Sequence, residues 1–262
     1  MSAANHGERE IQEPSTLTLI TRADDAGLNR STNAAIRETA LQGITKNVSL
    51  LAVAPDIEDA ACQLATLPLC FGLHACLTAE WETLRWGPLM DRNAIPTLVQ
   101  SDGFFPHQLA LNSAISTEEV LSELAAQLDR LRSLGFLISY LDEHMFFSCR
   151  HPDLRPALED FSTANKLIFR PDINQLPNTK SSPNDSSSTQ FLSQLKNTLP
   201  GTYLVISHPS YDNEEMSTLR LYGKKDAREA ATRNEQRLMF VREDIRHHCI
   251  SHGVRLMRYD EL

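Results

Sequence analysis

The stretch Leu17-Thr18-Leu19-Ile20-Thr21-Arg22-Ala23-Asp24-Asp25 decides the fold, because it joins a short apolar run directly to two carboxylates. Near-continuous apolar runs of this length are typical of strands that are buried on both faces of a parallel sheet. The same arrangement recurs in three later segments, which are Leu69–Leu73 before His74, Phe136–Leu141 before Asp142 and His144, and Tyr203–Ser207 before His208. Four predicted strands therefore each end in an acid or a histidine.

Helical patterns separate these runs, which predicts parallel strands joined by right-handed crossovers. The clearest helix begins at Ser116, where Glu119 completes a capping-box pattern, and it ends at Gly135. One continuous C-terminal helix carries an apolar stripe from Leu238 to Cys249. Further strand candidates at 47–53, 166–169 and 254–257 bring the count to about seven.

The fold class that we predict is α/β, a distorted (β/α) barrel of about seven parallel strands that is similar to a TIM barrel. An open doubly wound sheet is the alternative, since it also places ligands beyond the carboxyl ends of its strands.

A chain of 262 residues with 41% hydrophobic residues can fill one large core, so we predict a single barrel domain over residues 16–262. Residues 1–15 are polar and lack an apolar h-region, which predicts a disordered tail and not a signal peptide. No stretch approaches the ~18 apolar residues of a membrane span. Residues 177–189 are rich in Ser and Pro, and we interpret them as a mobile insertion or a lid.

The net charge of −9 argues against nucleic acid as a partner, because no run of Lys and Arg is present to bind phosphates. We expect the partner to be a neutral or cationic small molecule instead. The sequence leaves open whether the protein forms a homodimer. The five cysteines form no CxxC pair, which indicates reduced thiols and a cytoplasmic location. Cys76 could add a soft metal ligand, but a free cysteine is more often part of the core.

The predicted strand ends share one rim of the barrel, so the acids and histidines should converge there. Two imidazoles and a carboxylate bind a divalent ion and leave coordination positions open, as a hydrolytic site requires. Adjacent residues on a strand point to opposite faces, so Asp24 and Asp25 both serve the site only if the chain is already turning into Gly27. We assign Asp25 to the metal and Asp24 to the base, and the residues alone permit the reverse. Asp142 either orients His144 or caps the following helix.

Five motifs resemble those of the YdjC-like carbohydrate deacetylases, and they span the chain from about Leu17 to Leu262. In that family they read A-D-D-F-G, G-L-H-x-x-L-T, D-G-x-F, I-D-S-H and H-P-G. The matching segments here are Ala23–Gly27, Gly72–Thr78, Asp102–Phe105, Leu141–His144 and Ser207–Ser210.

The resemblance implies a distorted barrel that hydrolyses the N-acetyl group of an amino sugar and releases acetate. It implies one divalent metal ion, Mg or Zn, held by Asp25, His74 and His144. The departures from the family motifs, which are Ala26 for Phe, Phe146 for a second His and Ser210 for Gly, remove none of these ligands.

The resemblance also implies that Asp24 is the catalytic base and that His208 is the acid. Arg170 resembles the Arg of a family R-x-P motif and would hold Asp24 ionised. Four aromatic residues are candidates to bind the sugar, although packing is the alternative for each of them: Trp81, Trp86, Phe104 and Phe146. Residues 145–147 make the floor of the site more apolar than a polar oligosaccharide would require.

Two other functions remain open. A metal-dependent hydrolase could cut a different amide or a phosphoester, although only Arg22, Arg150 and Arg170 are candidates to hold a phosphate. A non-catalytic sugar-binding barrel would not need Asp24 or His208.

Overall fold

A sheet of six parallel strands lies at the centre of the structure, a computed structural model that describes residues 16–110, 114–178, 185–224 and 228–262. The strands are β1 (Leu17–Ala26), β2 (Asn47–Leu50), β3 (Cys70–Ala75), β4 (Ile138–Glu143), β5 (Gly201–Ser207) and β6 (Arg255–Leu256). Five of them follow the order β4-β3-β2-β1-β5, and β6 pairs with the start of β1. The predicted α/β class with parallel strands is confirmed.

Helices cover the outside of this sheet. They are α1 (Arg30–Gln42), α2 (Ile57–Leu64), α3 (Thr117–Ser133), α4 (Leu154–Ala164), α5 (Ser187–Asn197), α6 (Glu214–Ser217), α7 (Glu229–Val241) and α8 (Glu243–Ser251), with short 3-10 helices at His144–Cys149 and Tyr259–Glu261. Ser116 caps α3 as predicted, because its side chain accepts the Glu119 N–H. The prediction of a single C-terminal helix was wrong, because Arg242 has an extended ψ of 133° that separates α7 from α8.

The predicted count of about seven strands is wrong for the described residues, because the segment at 166–169 does not form a strand. Ile168 makes one isolated bridge to β4, and Gln175 makes one to β5. Between them, Pro171 has no N–H to donate to a neighbouring strand, and the chain turns instead. The sheet therefore curls into a half-barrel whose edges, β4 and β5, face an irregular segment. We call residues 169–175 the seam.

Several sequence predictions concern residues that the structure does not describe. The tail at 1–15 lies wholly outside it, as do residues 179–184 of the predicted insertion at 177–189. Residues 187–189 of that segment form the first turn of α5, where Ser186 accepts the Thr189 N–H. Among the described residues, no helix has the length and apolar character needed to cross a membrane.

Gly72 on β3 makes room for an aromatic ring in the barrel interior. A Cβ at this position would lie 2.1 Å from the Tyr140 ring. That ring is fully buried, stacks on Tyr259 at 4.2 Å, and its hydroxyl lies 2.9 Å from the Ser49 hydroxyl. Because the ring is held on several sides, it cannot move away cheaply.

We expect Gly72→Ala to lower the free energy of unfolding by about 1–3 kcal/mol, because it overpacks this core. Urea denaturation measures the change. In a Tyr140→Leu background the same substitution should cost less, since the opposing ring atoms are gone. An equal cost in the two backgrounds would contradict this contact.

Candidate metal and catalytic site

A bulge in β1 brings both aspartates to one cavity. The pairing of β1 with β2 shifts register between Ala23 and Ala26, and Asp25 has a left-handed φ of 68°. This extra residue cancels the alternation that would point neighbouring side chains to opposite faces. Asp24 and Asp25 therefore line the same cavity although β1 has not yet ended, whereas the sequence suggested a turn into Gly27.

That cavity has a volume of about 480 Å³ and lies at the carboxyl ends of β1, β3, β4 and β5. Six of the residues predicted for the site line it: Asp24, Asp25, His74, His144, His208 and Phe146. Six further polar residues that the sequence did not single out also line it: Glu80, Glu143, Gln175, Glu229, Arg233 and Gln236.

Three ligand atoms face one another at the bottom of the cavity. His74 Nε2 lies 3.2 Å from His144 Nδ1, and Asp25 Oδ1 lies 3.5 Å from each of these nitrogens. Ligand atoms that share one ion at about 2.1 Å and near-tetrahedral angles lie about 3.4 Å apart. Asp25 Oδ1 is also buried without a hydrogen-bond partner among the described residues. The triangle therefore fits a divalent ion.

Two carboxylates fix which imidazole nitrogens point into this triangle. Asp142 Oδ2 lies 2.7 Å from His74 Nδ1, and Glu80 Oε2 lies 2.9 Å from His144 Nε2. If each of these ring nitrogens donates its proton to the carboxylate, the opposite nitrogen presents a lone pair. The prediction that Asp142 orients His144 was wrong, because Asp142 contacts His74 and the partner of His144 is Glu80.

The charges around the triangle favour an anionic Asp25. Burial by itself would raise the pKa of this carboxyl, but Arg233 and the two imidazoles hold it well below its ordinary value. Arg233 Nη2 lies 2.8 Å from Asp25 Oδ2, which leaves Oδ1 for another partner. For His74, burial opposes protonation, but Asp142 outweighs it and raises the pKa to about 10. A cation that binds His74 must therefore displace a proton.

Asp24 is held by Arg22, its neighbour two residues earlier on β1. The guanidinium donates to both carboxylate oxygens, over 2.7 and 2.8 Å, and it also lies 3.1 Å from Asp142. Arg170, which we expected to contact Asp24, is instead exposed and pairs with Asp172 at 3.1 Å. The turn at Pro171 directs the Arg170 side chain toward its own loop.

A second group of ligand atoms, from Asp24, His74 and Asp142, also lies close enough to hold an ion. This group suits a cation less well, because the Arg22 guanidinium already lies against both of its carboxylates. A second positive charge there would be repelled in a buried, low-dielectric environment. The geometry therefore favours Asp25, His74 and His144.

His208 lies half-buried at the end of β5, and Gln236 of α7 fixes its orientation. Gln236 Oε1 accepts the His208 backbone N–H at 2.6 Å and lies 3.2 Å from its Nδ1. Since an amide oxygen only accepts, Nδ1 carries the proton in this contact, which leaves Nε2 to exchange a proton with a ligand. Burial lowers the pKa of this imidazole.

The four aromatic candidates occupy different environments. Trp81 is fully buried beneath the Arg233 guanidinium, 5.2 Å from its ring, and Trp86 is buried with its Nε1 donating to the Thr78 carbonyl. These two residues pack in the core and do not offer a face to a sugar. The prediction that they bind the sugar was therefore wrong. Phe104 lies under Arg85 at 4.9 Å and does not line the cavity. Phe146 does line it, and it is 53% exposed.

The residues that the sequence analysis missed carry weak local signals. Arg22, which the sequence suggested only as a candidate to hold a phosphate, interrupts an apolar strand, and this signal could have predicted buried carboxylate partners. Arg233 and Gln236 lie three residues apart on α7 and so share a face. Glu80 lies in an irregular segment, where it is positioned by backbone hydrogen bonding to Tyr222.

Comparisons with known proteins show which family this chain resembles. The family model described as YdjC-like protein matches residues 18–249. A carbohydrate deacetylase from Thermoanaerobacter pseudethanolicus is 25% identical over 86% of this chain and 94% of its own length. One from Geobacillus stearothermophilus is 31% identical over 58% of each chain, so this chain matches less than two thirds of that relative.

A crystal structure from Enterococcus faecalis V583, provisionally named a cellobiose-phosphate cleavage protein, has the same fold. Its TM-score is 0.78 with 18% identity, over 94% of this chain and 99% of the other. The family model covers most of the described strands and helices, including the ends of β1, β3, β4 and β5. The chain therefore belongs to the YdjC-like family.

Proposed function

We propose that this protein is a metal-dependent carbohydrate N-deacetylase, which hydrolyses the acetamide of an amino sugar and releases acetate. The observation that carries the proposal is the buried triangle of Asp25, His74 and His144 beside a carboxylate, Asp24, that lines the same cavity. The names of the relatives from Thermoanaerobacter and Geobacillus support the same reaction.

Asp25, His74 and His144 would hold one divalent ion, Mg or Zn. Two nitrogen ligands favour zinc, since magnesium prefers oxygen ligands. When bound, such an ion supplies a Lewis acid for the acetyl carbonyl and makes water more acidic. Asp142 and Glu80 keep the two imidazoles turned toward the ion.

Asp24 accepts the proton of the attacking water, because it adjoins the proposed ligand Asp25 in the cavity. Two other carboxylates there have different partners, since Glu80 is bound to His144 and Glu143 to Ser148. Arg22 restrains both oxygens of Asp24, so the base is held in one orientation. His208 then gives a proton to the departing nitrogen. Its lowered pKa makes its protonated form a ready donor.

A phosphoester substrate is the second candidate, and the surroundings of the arginines argue against it. Phosphate recognition usually uses Arg or Lys side chains with free donors. Arg22 is bound to Asp24 and Asp142 and is not among the residues that line the main cavity. Arg233 lines it and binds Asp25 through Nη2, and its Nη1 has no hydrogen-bond partner among the described residues. The described cavity therefore offers a phosphate one arginine donor group, not a cluster of them. A non-catalytic sugar-binding barrel is also disfavoured, because a buried Asp24–Arg22 pair and an oriented His208 would then have no function.

The proposed ligand set predicts the metal content of single variants. Asp25→Ala, His74→Ala and His144→Ala should each lose the bound divalent ion, because three protein ligands leave no redundancy. Elemental analysis of the purified proteins measures the stoichiometry. His247→Ala, which changes an exposed histidine, is the matched control and should keep the ion.

Asp24→Asn and His144→Ala together discriminate between the two possible ligand groups. If Asp25, His74 and His144 bind the ion, Asp24→Asn keeps it and His144→Ala loses it. The reverse result would assign the ion to Asp24, His74 and Asp142 and would exchange the roles of the two aspartates.

The proposed reaction predicts acetate release from an amino sugar. With zinc or magnesium present, the protein should release acetate from N-acetylglucosamine or its β-linked oligosaccharides and no phosphate from phosphate monoesters. Asp24→Asn and His208→Ala should each lower kcat by about 100-fold or more while metal content stays constant, since general acid and base groups contribute on this scale. Asp153→Asn, which changes an exposed aspartate, is the control.

Phosphate release that depends on Asp25 would instead favour the phosphoester hydrolase. Full acetate release by Asp24→Asn would remove Asp24 from the role of base, and binding of N-acetylated sugars without turnover would favour the sugar-binding barrel.

A further inference from the structure

We propose that the substrate of this protein carries an apolar group, an alkyl chain attached to the amino sugar, and that Phe146 and the seam form its binding site. The amino sugar itself rests on the function proposed above. The apolar site rests on three independent features of the chain beyond His144, which are backbone strain, exposed apolar side chains and a second cavity.

The backbone is strained directly after His144. Met145 and Phe146 have φ values of 58° and 47°, in the left-handed region that non-glycine residues rarely adopt. Two consecutive residues in this region are costly, and such strain persists only where the surrounding structure imposes it.

Buried contacts on both sides impose this conformation. The Glu143 carboxylate accepts the backbone N–H of Ser148 and its hydroxyl, both at 2.7 Å, so it closes the loop that contains the strained pair. Phe147 fixes the far side, since it is 1% exposed in the main core. The loop between these anchors presents Met145 and Phe146 outward.

The consequence is an exposed apolar surface beside the proposed metal ligands. Met145 is 47% exposed and Phe146 is 53% exposed, and both line the main cavity. Large apolar side chains at a cavity entrance are typical of ligand sites. If this loop served only to pack the core, we would expect Phe146 to be buried like its neighbour Phe147.

A second cavity extends from this surface into the seam. It has a volume of about 80 Å³ and shares Glu143, Phe146, Gln175 and Ile206 with the main cavity. Phe169 and Ile173 of the seam and Leu204 of β5 add further apolar surface. The charged residues that also line it are paired within the protein: Arg22 with Asp24 and Asp142, Glu143 with Ser148, and Arg170 with Asp172. The cavity exists because no strand fills the gap between β4 and β5 in the described chain.

The shape and lining of this branch favour an alkyl chain. The cavity is narrow and the charged groups in its lining are already paired within the protein, so a second hydrated sugar ring would lose hydrogen bonds to water on entering it. Its opening into the main cavity places an occupant next to a sugar whose acetamide lies at the Asp25–His74–His144 triangle. Stacking of a second sugar on Phe146 is the rival interpretation.

The test compares the binding of hexyl and methyl β-glycosides of N-acetylglucosamine to the purified full-length protein by isothermal titration calorimetry. The hexyl glycoside, kept below its micelle concentration, should bind at least about tenfold more tightly, because several methylene groups leave water. Ile173→Ser and Phe146→Ala should each lower this hexyl-to-methyl affinity ratio severalfold. Leu199→Ala, which changes an exposed apolar residue outside both cavities, should leave it unchanged.

Equal affinity for the two glycosides would overturn the proposal. Tighter binding of the β-linked disaccharide than of the hexyl glycoside, lost in Phe146→Ala, would overturn it in favour of sugar stacking. The binding ratio does not depend on turnover, so a hexyl preference without acetate release would support the apolar site and contradict the proposed reaction.

A stability measurement tests the strain argument separately. Phe146→Gly removes the cost of the left-handed conformation and should raise the midpoint of thermal unfolding by about 2–4 °C while it lowers the hexyl-to-methyl ratio. A fall in both quantities would mean that Phe146 is held there for packing and would overturn the assignment.

Discussion

One buried guanidinium, that of Arg22, is the interaction on which the arrangement of the site depends. It binds Asp24 from its own strand and Asp142 from β4, and its Nη1 lies 3.3 Å from the Tyr259 hydroxyl near the C-terminus. A buried arginine without partners would be prohibitively costly, so these groups must assemble around it together. Asp142 in turn orients His74, and this chain of contacts links the proposed base to a proposed metal ligand.

A second constraint is the bulge in β1, which gives two adjacent carboxylates different partners. Asp24 faces Arg22, and Asp25, at a left-handed φ, faces Arg233 on one side and the imidazoles on the other. Each aspartate therefore has one arginine, and Asp25 keeps a buried oxygen without a hydrogen bond among the described residues. Such an oxygen is unfavourable by itself, and binding of a cation would compensate it. The local strain at Asp25 and the proposed ligand set have the same origin.

The sequence predicted the features that depend on short-range patterns. Buried parallel strands produce continuous apolar runs, so the ends of β1, β3, β4 and β5, and the polar residues there, could be predicted.

Long-range partners could not be predicted from such patterns. Arg22 and Arg170 are both arginines beside strands, and only the turn at Pro171 directs Arg170 outward. Glu80 reaches His144 through an irregular segment with no periodicity, and the face that α7 turns toward the cavity depends on packing. In the described chain, the predicted seventh strand at 166–169 is likewise lost at the turn that Pro171 makes just after it.

The site combines a rigid polar centre with an apolar entrance, and the two properties support each other. Asp24, Asp25, His74 and His144 are each at most 4% exposed, so their interactions act in a low-dielectric environment in which charge–charge terms are strong. Met145 and Phe146 lie at the entrance to the same cavity and have no polar side-chain group to compete for the proposed ion or for the proton of Asp24. An apolar ligand group held on Phe146 and the seam would exclude water from the centre and strengthen those interactions further. The gap left by the absent strand is therefore not only a defect of the barrel, because it provides apolar surface where exclusion of water has the largest electrostatic effect.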